Sequence, residues 1–108
     1  MAKIADVTFT GQSGREYKFG VYPRETTFKD VGGVYVFSKR DSQRNHTLLY
    51  IGQTHSFEER RLAHHEKWEC ADPLGGNVIC THRENNETQR KAKERDLIDA
   101  YQPPCNKQ

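Results

Sequence analysis

Two stretches of alternating apolar and polar residues constrain this chain most, because each is typical of a β-hairpin. In the first, Val7 and Phe9 alternate with polar residues, a glycine-containing turn follows, and the alternation resumes over 17–21. The second consists of GGVYVFSKR and HTLLYIGQT, joined by a polar loop. The sequence therefore predicts a small antiparallel sheet, with an N-terminal hairpin within residues 1–30.

Helix signals follow the second hairpin. Ser56 and Glu59 have capping-box spacing, which predicts a helix from about Phe57 to just before the segment ADPLGG. NVICTH then predicts a short strand, and the cap spacing of Asn86 and Gln89 predicts a second helix that ends at the paired prolines. The predicted order β, β, β, β, α, β, α indicates an α+β fold, with the N-terminal hairpin extending one domain.

Composition restricts the class of protein. A chain of 108 residues, 33% of them hydrophobic and 30% charged, suffices for one domain with a modest core. No apolar run has the length of a membrane span or a signal peptide, so we expect a cytoplasmic protein. The odd number of cysteines and their lack of CxxC spacing predict that Cys70, Cys80 and Cys105 are reduced thiols. The net charge of +2 neither requires nor excludes a polyanionic partner.

The predicted first helix carries a cluster of cationic and titratable side chains. Residues four apart on a helix share a face, so Arg60 and His64 should point the same way, whereas Arg61 and His65 should point elsewhere. An arginine can bind a phosphate, and a histidine can accept a proton near neutral pH. A solvated basic helix face is the alternative interpretation of the same residues.

Two tyrosines lie beside glycines in the second hairpin. GVY ends at Tyr35, YIG begins at Tyr50, an arginine follows that glycine by eight residues, and a histidine comes four residues later. A glutamate in the E-x-x-L-I stretch of the last helix and an asparagine after the prolines complete the pattern. Together these positions, from about residue 31 to residue 106, resemble the GIY-YIG nuclease domain.

The resemblance implies a metal-dependent phosphodiesterase, more an endonuclease than an exonuclease, with its nuclease core over 31–108. Glu94 would be the metal ligand, for Mg²⁺ or for Mn²⁺ in its place, and Arg60 would carry phosphate charge. Tyr35, Tyr50 and His64 would share the activation and positioning of the nucleophilic water, in a division that the sequence leaves open. Gly33, Gly52 and Asn106 would support the site.

The register of Glu94 agrees with this role. Leu97, Ile98 and Tyr101 follow it at helical spacing, so Glu94 should continue the apolar face towards the core, where a carboxylate needs a partner or a metal.

The expected partner is DNA, with a preference for single-stranded or distorted DNA, while RNA and a homodimer remain open. Lys39, Arg40 and Arg44 concentrate positive charge in the loop of the second hairpin, and Arg83 could extend the same nucleic-acid-binding surface. Two alternatives remain: a catalytically silent module that binds nucleic acid or protein, and a zinc-stabilised structural protein.

Overall fold

A five-stranded antiparallel sheet organises the chain in this computed structural model, which describes residues 3–107. The strands lie in the spatial order β1-β2-β5-β3-β4. Their bounds are β1 (Ala5–Thr10), β2 (Glu16–Pro23), β3 (Gly33–Arg40), β4 (His46–Thr54) and β5 (Val78–Arg83). Both predicted hairpins are confirmed, and β5 pairs with β2 on one side and β3 on the other. The predicted α+β class with an antiparallel sheet is therefore confirmed.

The C-terminal helix follows the prediction closely. It is α3 (Glu87–Tyr101), and the Asn86 side chain caps it by accepting the Gln89 backbone N–H. Gln102 ends it in a left-handed conformation with φ of 46°. No helix among residues 3–107 is both long enough and apolar enough to cross a bilayer.

The predicted first helix is interrupted. Ser56 caps it as expected, by accepting the Glu59 N–H, but α1 spans only Phe57–Arg60 because Arg61 adopts a left-handed φ of 53°. The chain continues as a 3-10 turn (Leu62–His64), α2 (Trp68–Ala71) and a second 3-10 turn (Asp72–Leu74). The prediction of one continuous helix from Phe57 is therefore wrong, and side chains four residues apart across Arg61 do not share a face.

Each face of the sheet has its own apolar cluster. On the α3 face, Val34 and Val36 of β3 pack with Leu97 of α3. On the opposite face, which we call the site face, Tyr35 and Phe37 pack under the segment 57–71, with Phe57, Leu62, Trp68 and Ala71. Strand β3 is therefore buried on both sides, which explains its uninterrupted apolar run.

The cysteines depart from the prediction. Cys70 of α2 and Cys105 form a disulfide that ties α2 to the C-terminal 3-10 turn (Pro104–Asn106), so the expectation that all three are reduced is wrong for this pair. Cys80 is free and buried in β5, and burial raises its pKa to about 12. Disulfides persist mainly in oxidising compartments, so the expected cytoplasmic location stays a prediction.

Candidate active site

The two motif tyrosines lie side by side on the site face. Tyr35 on β3 is 2% exposed, and its ring centre is 6.1 Å from that of the half-buried Tyr50 on β4. Gly52 is the cross-strand partner of Tyr35, and a Cβ at Gly52 would lie 2.5 Å from the Tyr35 hydroxyl. Only glycine leaves room for this ring, so the YIG glycine sets the position of the GVY tyrosine.

Histidine 65, rather than histidine 64, meets the tyrosines. The Nε2 atom of His65 lies 2.9 Å from the Tyr35 hydroxyl, and the side chain is 3% exposed. His64 is exposed, on the far side of the left-handed Arg61, in a groove that Glu58 and Arg61 also line. The prediction that Arg60 and His64 share a face, with His65 pointing elsewhere, is therefore wrong, because α1 ends at Arg60.

Hydrogen bonds assign the tautomer of His65. The Lys67 backbone N–H donates to Nδ1 of His65 at 3.0 Å, so Nδ1 carries a lone pair. Burial, followed by the positive charge of Arg60, lowers the His65 pKa to about 4, which keeps the ring neutral at pH 7. The single ring proton therefore sits on Nε2 and is donated to the Tyr35 oxygen. The Tyr35 hydroxyl is left with its own proton to donate elsewhere.

Arginine 60 lies at the same place but is already paired. Its guanidinium donates to the Glu66 carboxylate at 2.7 Å, and its side chain is 36% exposed. The hydrogen bond from Arg60 is the largest cause that lowers the Glu66 pKa to about 2. The positive charge of Arg60 also lowers the Tyr35 pKa, but burial dominates and raises that pKa well above its ordinary value. Tyr35 is therefore a neutral phenol at pH 7.

Glutamate 94 reaches the site from α3. It is half-buried, and no side chain among residues 3–107 hydrogen-bonds its carboxylate or forms a salt bridge with it. Burial raises the pKa of Glu94, and this effect outweighs the positive charges of Arg95 and Lys91, which lower it. Burial also raises the Tyr50 pKa, and the next cause is the negative charge of Glu94, so the Glu94 carboxylate lies within electrostatic range of Tyr50.

A single carboxylate of this kind fits a magnesium ion, which often binds one or two protein carboxylates and completes its octahedron with water and phosphate oxygens. Residues 3–107 contain no group of three or more His, Cys, Asp or Glu side chains that could hold a metal. A magnesium ion at Glu94 would therefore take most of its ligands from water and phosphate oxygens. The zinc alternative finds no ligand cluster in the same range, and Cys70 is in the disulfide.

The supporting residues have structural tasks. Asn106 accepts the Ile51 N–H and donates to the Ile51 carbonyl, both at 2.8 Å, so it holds β4 next to Tyr50. A Cβ at Gly33 would collide with the His82 carbonyl and the Phe57 ring. Both positions therefore fix the strands that carry the tyrosines.

The predicted nucleic-acid-binding residues separate into two groups. Lys39 and Arg40 end β3, and Arg44 lies in the following loop with a φ of 69°. Arg83 ends β5 opposite Gly33, at the other end of β3. The two ends are about 20 Å apart at strand spacing, so Arg83 does not adjoin the loop, and its part in a shared nucleic-acid-binding surface stays a prediction. Antiparallel pairing of β3 with β5 causes this separation.

His65 is the site residue that sequence reasoning missed. The only signal for it was the adjacent pair His64 and His65, and the choice between them depended on the left-handed residue that ends α1.

No family model matches the chain, and neither a curated protein nor a solved structure is significantly similar to it.

Proposed function

We propose that this chain is a metal-dependent nuclease of the GIY-YIG kind, which hydrolyses phosphodiester bonds in DNA and prefers single-stranded or distorted DNA. The main support is the half-buried carboxylate of Glu94, which has no hydrogen-bond or ion-pair partner among residues 3–107. It lies within electrostatic range of Tyr50, in a cluster that also holds Tyr35 and Arg60. These four side chains come from β3, β4, α1 and α3. A fully solvated helix glutamate would not be half-buried within electrostatic range of a tyrosine.

The charge of the site suits a phosphodiester. A Mg²⁺ ion held by Glu94 would neutralise phosphate charge and lower the pKa of a bound water. The guanidinium of Arg60 can bind two phosphate oxygens once it leaves Glu66 or shares it. Glu66 thus holds the arginine in place until an anion arrives.

The tyrosines act as hydrogen-bond donors rather than as bases. His65 donates to the Tyr35 oxygen, so the Tyr35 O–H is directed away from His65 and can donate to a water or a phosphate oxygen. Because the pKa of Tyr35 is raised, its side chain is not ionised at pH 7. His65 is a positioning residue in this scheme, and Tyr50 orients the water or the phosphate beside Glu94.

A substrate panel tests the activity. Labelled single-stranded DNA, duplex, branched DNA and RNA are incubated with Mg²⁺ or Mn²⁺, and products are resolved on a denaturing gel. We expect cleavage of a DNA substrate and a roughly thousandfold loss for Glu94→Ala, equivalent to about 4 kcal/mol of transition-state stabilisation. Glu87→Ala, an exposed glutamate in the first turn of the same helix, is the matched control and should cleave normally.

The outcomes of the panel separate two functions. Cleavage of no substrate, or equal cleavage by Glu94→Ala, would contradict the nuclease proposal. Binding of DNA without turnover, weakened by Arg60→Ala, would support a catalytically silent module on the same fold.

Metal binding has a separate readout. A ligand that binds only the folded state raises the melting temperature, so Mn²⁺ should raise that of the wild type and not that of Glu94→Ala. The raised pKa of Glu94 predicts that this Mn²⁺ effect weakens as the pH falls, because the protonated carboxyl does not bind the ion. An equal shift in both proteins would place the metal elsewhere.

A further inference from the structure

A large groove in the described part of the chain does not touch Tyr35 or Tyr50. Its volume is about 670 Å³, and it lies on the site face over β2 and β5, next to the loop between β2 and β3. The helical segment 57–71 covers the other half of this face, over β3 and β4, and Phe57 stands at the boundary of the groove. The N-terminal hairpin therefore adds an open surface beside the covered site.

The groove is cationic. Lys3, Lys18, Lys29 and Arg83 line it, with Asp6 as its carboxylate. Asp6 lies 2.9 Å from the Lys3 amine and 3.9 Å from the Lys18 amine, so one negative charge serves two lysines. Four positive charges against one negative charge favour a ligand with several negative charges in a row.

Aromatic rings stand at the same groove. Tyr22 and Phe28 line it in an edge-to-face pair with ring centres 5.1 Å apart, and both are half-buried. A Cβ at Gly20 would lie 3.0 Å from the Tyr22 ring, so the missing side chain lets the ring lie close to the strand. A partly exposed tyrosine beside lysines offers a stacking platform for an unpaired base.

The sheet register links the groove to the site. Gly20 of β2 pairs with Thr81 of β5, Thr81 pairs with Tyr35 of β3, and Tyr35 pairs with Gly52. Directly paired residues present their side chains on the same face, and neighbouring strands are about 4.8 Å apart. The floor of the groove thus lies about 10 Å from the backbone of Tyr35, on the same face.

We propose that this groove binds a single-stranded polynucleotide segment, through phosphates on Lys18 and Arg83 and a base stacked on Tyr22. That the segment is DNA, and flanks the bond being cut, rests on the proposed function. Single strands fit better than duplex because stacking on Tyr22 requires a base whose face is free. Strand pairing separates Arg83 from the loop of the second hairpin, and in this proposal Arg83 binds a phosphate in the groove.

Binding measured without divalent metal tests this proposal. Fluorescence anisotropy of a labelled oligodeoxythymidylate is followed for the full chain in EDTA at several salt concentrations. The double variant Lys18→Ala, Arg83→Ala should bind at least about tenfold more weakly, and the slope of log K against log salt should fall by about 0.7 for each charge removed. Arg15→Ala, in the exposed turn between β1 and β2, is the control for loss of a positive charge outside the groove and should bind like wild type.

Tyr22 variants test the stacking separately. Tyr22→Ala should weaken binding between about fivefold and a hundredfold, whereas Tyr22→Phe should retain it because the ring is kept. Equal binding by Tyr22→Ala, equal binding by the double variant, or an equal loss in Arg15→Ala would overturn the groove assignment. Displacement of the oligonucleotide by polyglutamate as readily as by unlabelled DNA would point to acidic peptides instead.

Further binding measurements identify the class of ligand. Duplex that binds as tightly as the single strand would contradict the strand preference, and tighter binding of oligouridylate would contradict the assignment to DNA. Binding by a wild type that cleaves nothing would support the groove while contradicting the nuclease. Normal binding by the groove variants of an active nuclease would contradict the groove alone.

Discussion

The two faces of the sheet are built in different ways. The α3 face is closed by one capped helix of 15 residues, whose Leu97 is fully buried against strand residues. The site face is closed by short turns over 57–74, and it buries His65 and Ser56 together with aromatic rings. A regular helix satisfies its own backbone, whereas a broken chain needs buried polar side chains to do so.

This difference explains why the polar side chains of the candidate active site lie on the site face. The polar groups of the site face hydrogen-bond to backbone and to one another, as His65 does to Lys67 and Tyr35. Such a network holds side chains in fixed orientations, but the loss of one hydrogen bond leaves a buried polar group without a partner. Variants of single residues should show whether the site face depends on each of these contacts.

The largest expected effect is that of Trp68→Ala. Trp68 stacks on Phe37 with ring centres 4.1 Å apart, donates to the Leu62 carbonyl and lies under the Arg24 guanidinium at 3.6 Å. Removing it should lower the free energy of unfolding by about 3–5 kcal/mol, measured by urea denaturation. Leu97→Ala on the α3 face is the control and should cost about 2–5 kcal/mol.

Only Trp68→Ala should also shift the NMR signals of His65, because Leu97 lies across the sheet from it. Equal shifts in both variants would show that the two faces are not independent.

The disulfide should stabilise the site face next most strongly. It closes a loop with a sequence separation of 35 residues, for which loop entropy predicts a stabilisation of about 3–4 kcal/mol. A dithiol reductant should therefore lower the urea midpoint of the wild type. The variant Cys70→Ser, Cys105→Ser should already be destabilised and should not respond to the reductant. A response in this variant would place the effect elsewhere.

Acid should weaken the site face through His65. Its pKa is about 4 in the folded chain and about 6.5 when unfolded, so the unfolded state binds more protons between these values. Stability should be complete above pH 6.5 and fall by about 3 kcal/mol as the pH drops to 4. His65→Gln should remove this part of the pH dependence, whereas the exposed His64→Gln should retain it. Thermal melts across this pH range measure it.

The smallest expected effect concerns the Arg60–Glu66 pair. Under the proposed function, Glu66 competes with phosphate for Arg60, so Glu66→Gln should tighten DNA binding by about two- to fivefold at low salt. Its stability at pH 7 should change little, because the pair is exposed. Glu69→Gln, another exposed glutamate nearby, should leave affinity unchanged. Weaker binding by Glu66→Gln would contradict the competition.

Local patterns predicted most of the secondary structure, because alternation and caps depend on a few neighbouring residues. The break at Arg61 was not predicted because no glycine or proline lies there. The structure around the break also includes contacts between residues apart in sequence, such as the hydrogen bond from the Trp68 side chain to the Leu62 carbonyl. The pairing of Cys70 with Cys105 and the central place of β5 likewise depend on residues far apart in sequence. Motif spacing predicted the tyrosines, Arg60 and Glu94 as site residues, a prediction that activity measurements must test, whereas the contact of His65 with Tyr35 depends on the fold.

The Asn106 side chain has a consequence for association between molecules. Strand β4 is at the border of the sheet, where unpaired backbone groups invite another chain to add a strand. The amide of Asn106 occupies the N–H and the carbonyl of Ile51 as a neighbouring strand would. One side chain thus blocks the addition of another strand to the sheet at this point of β4.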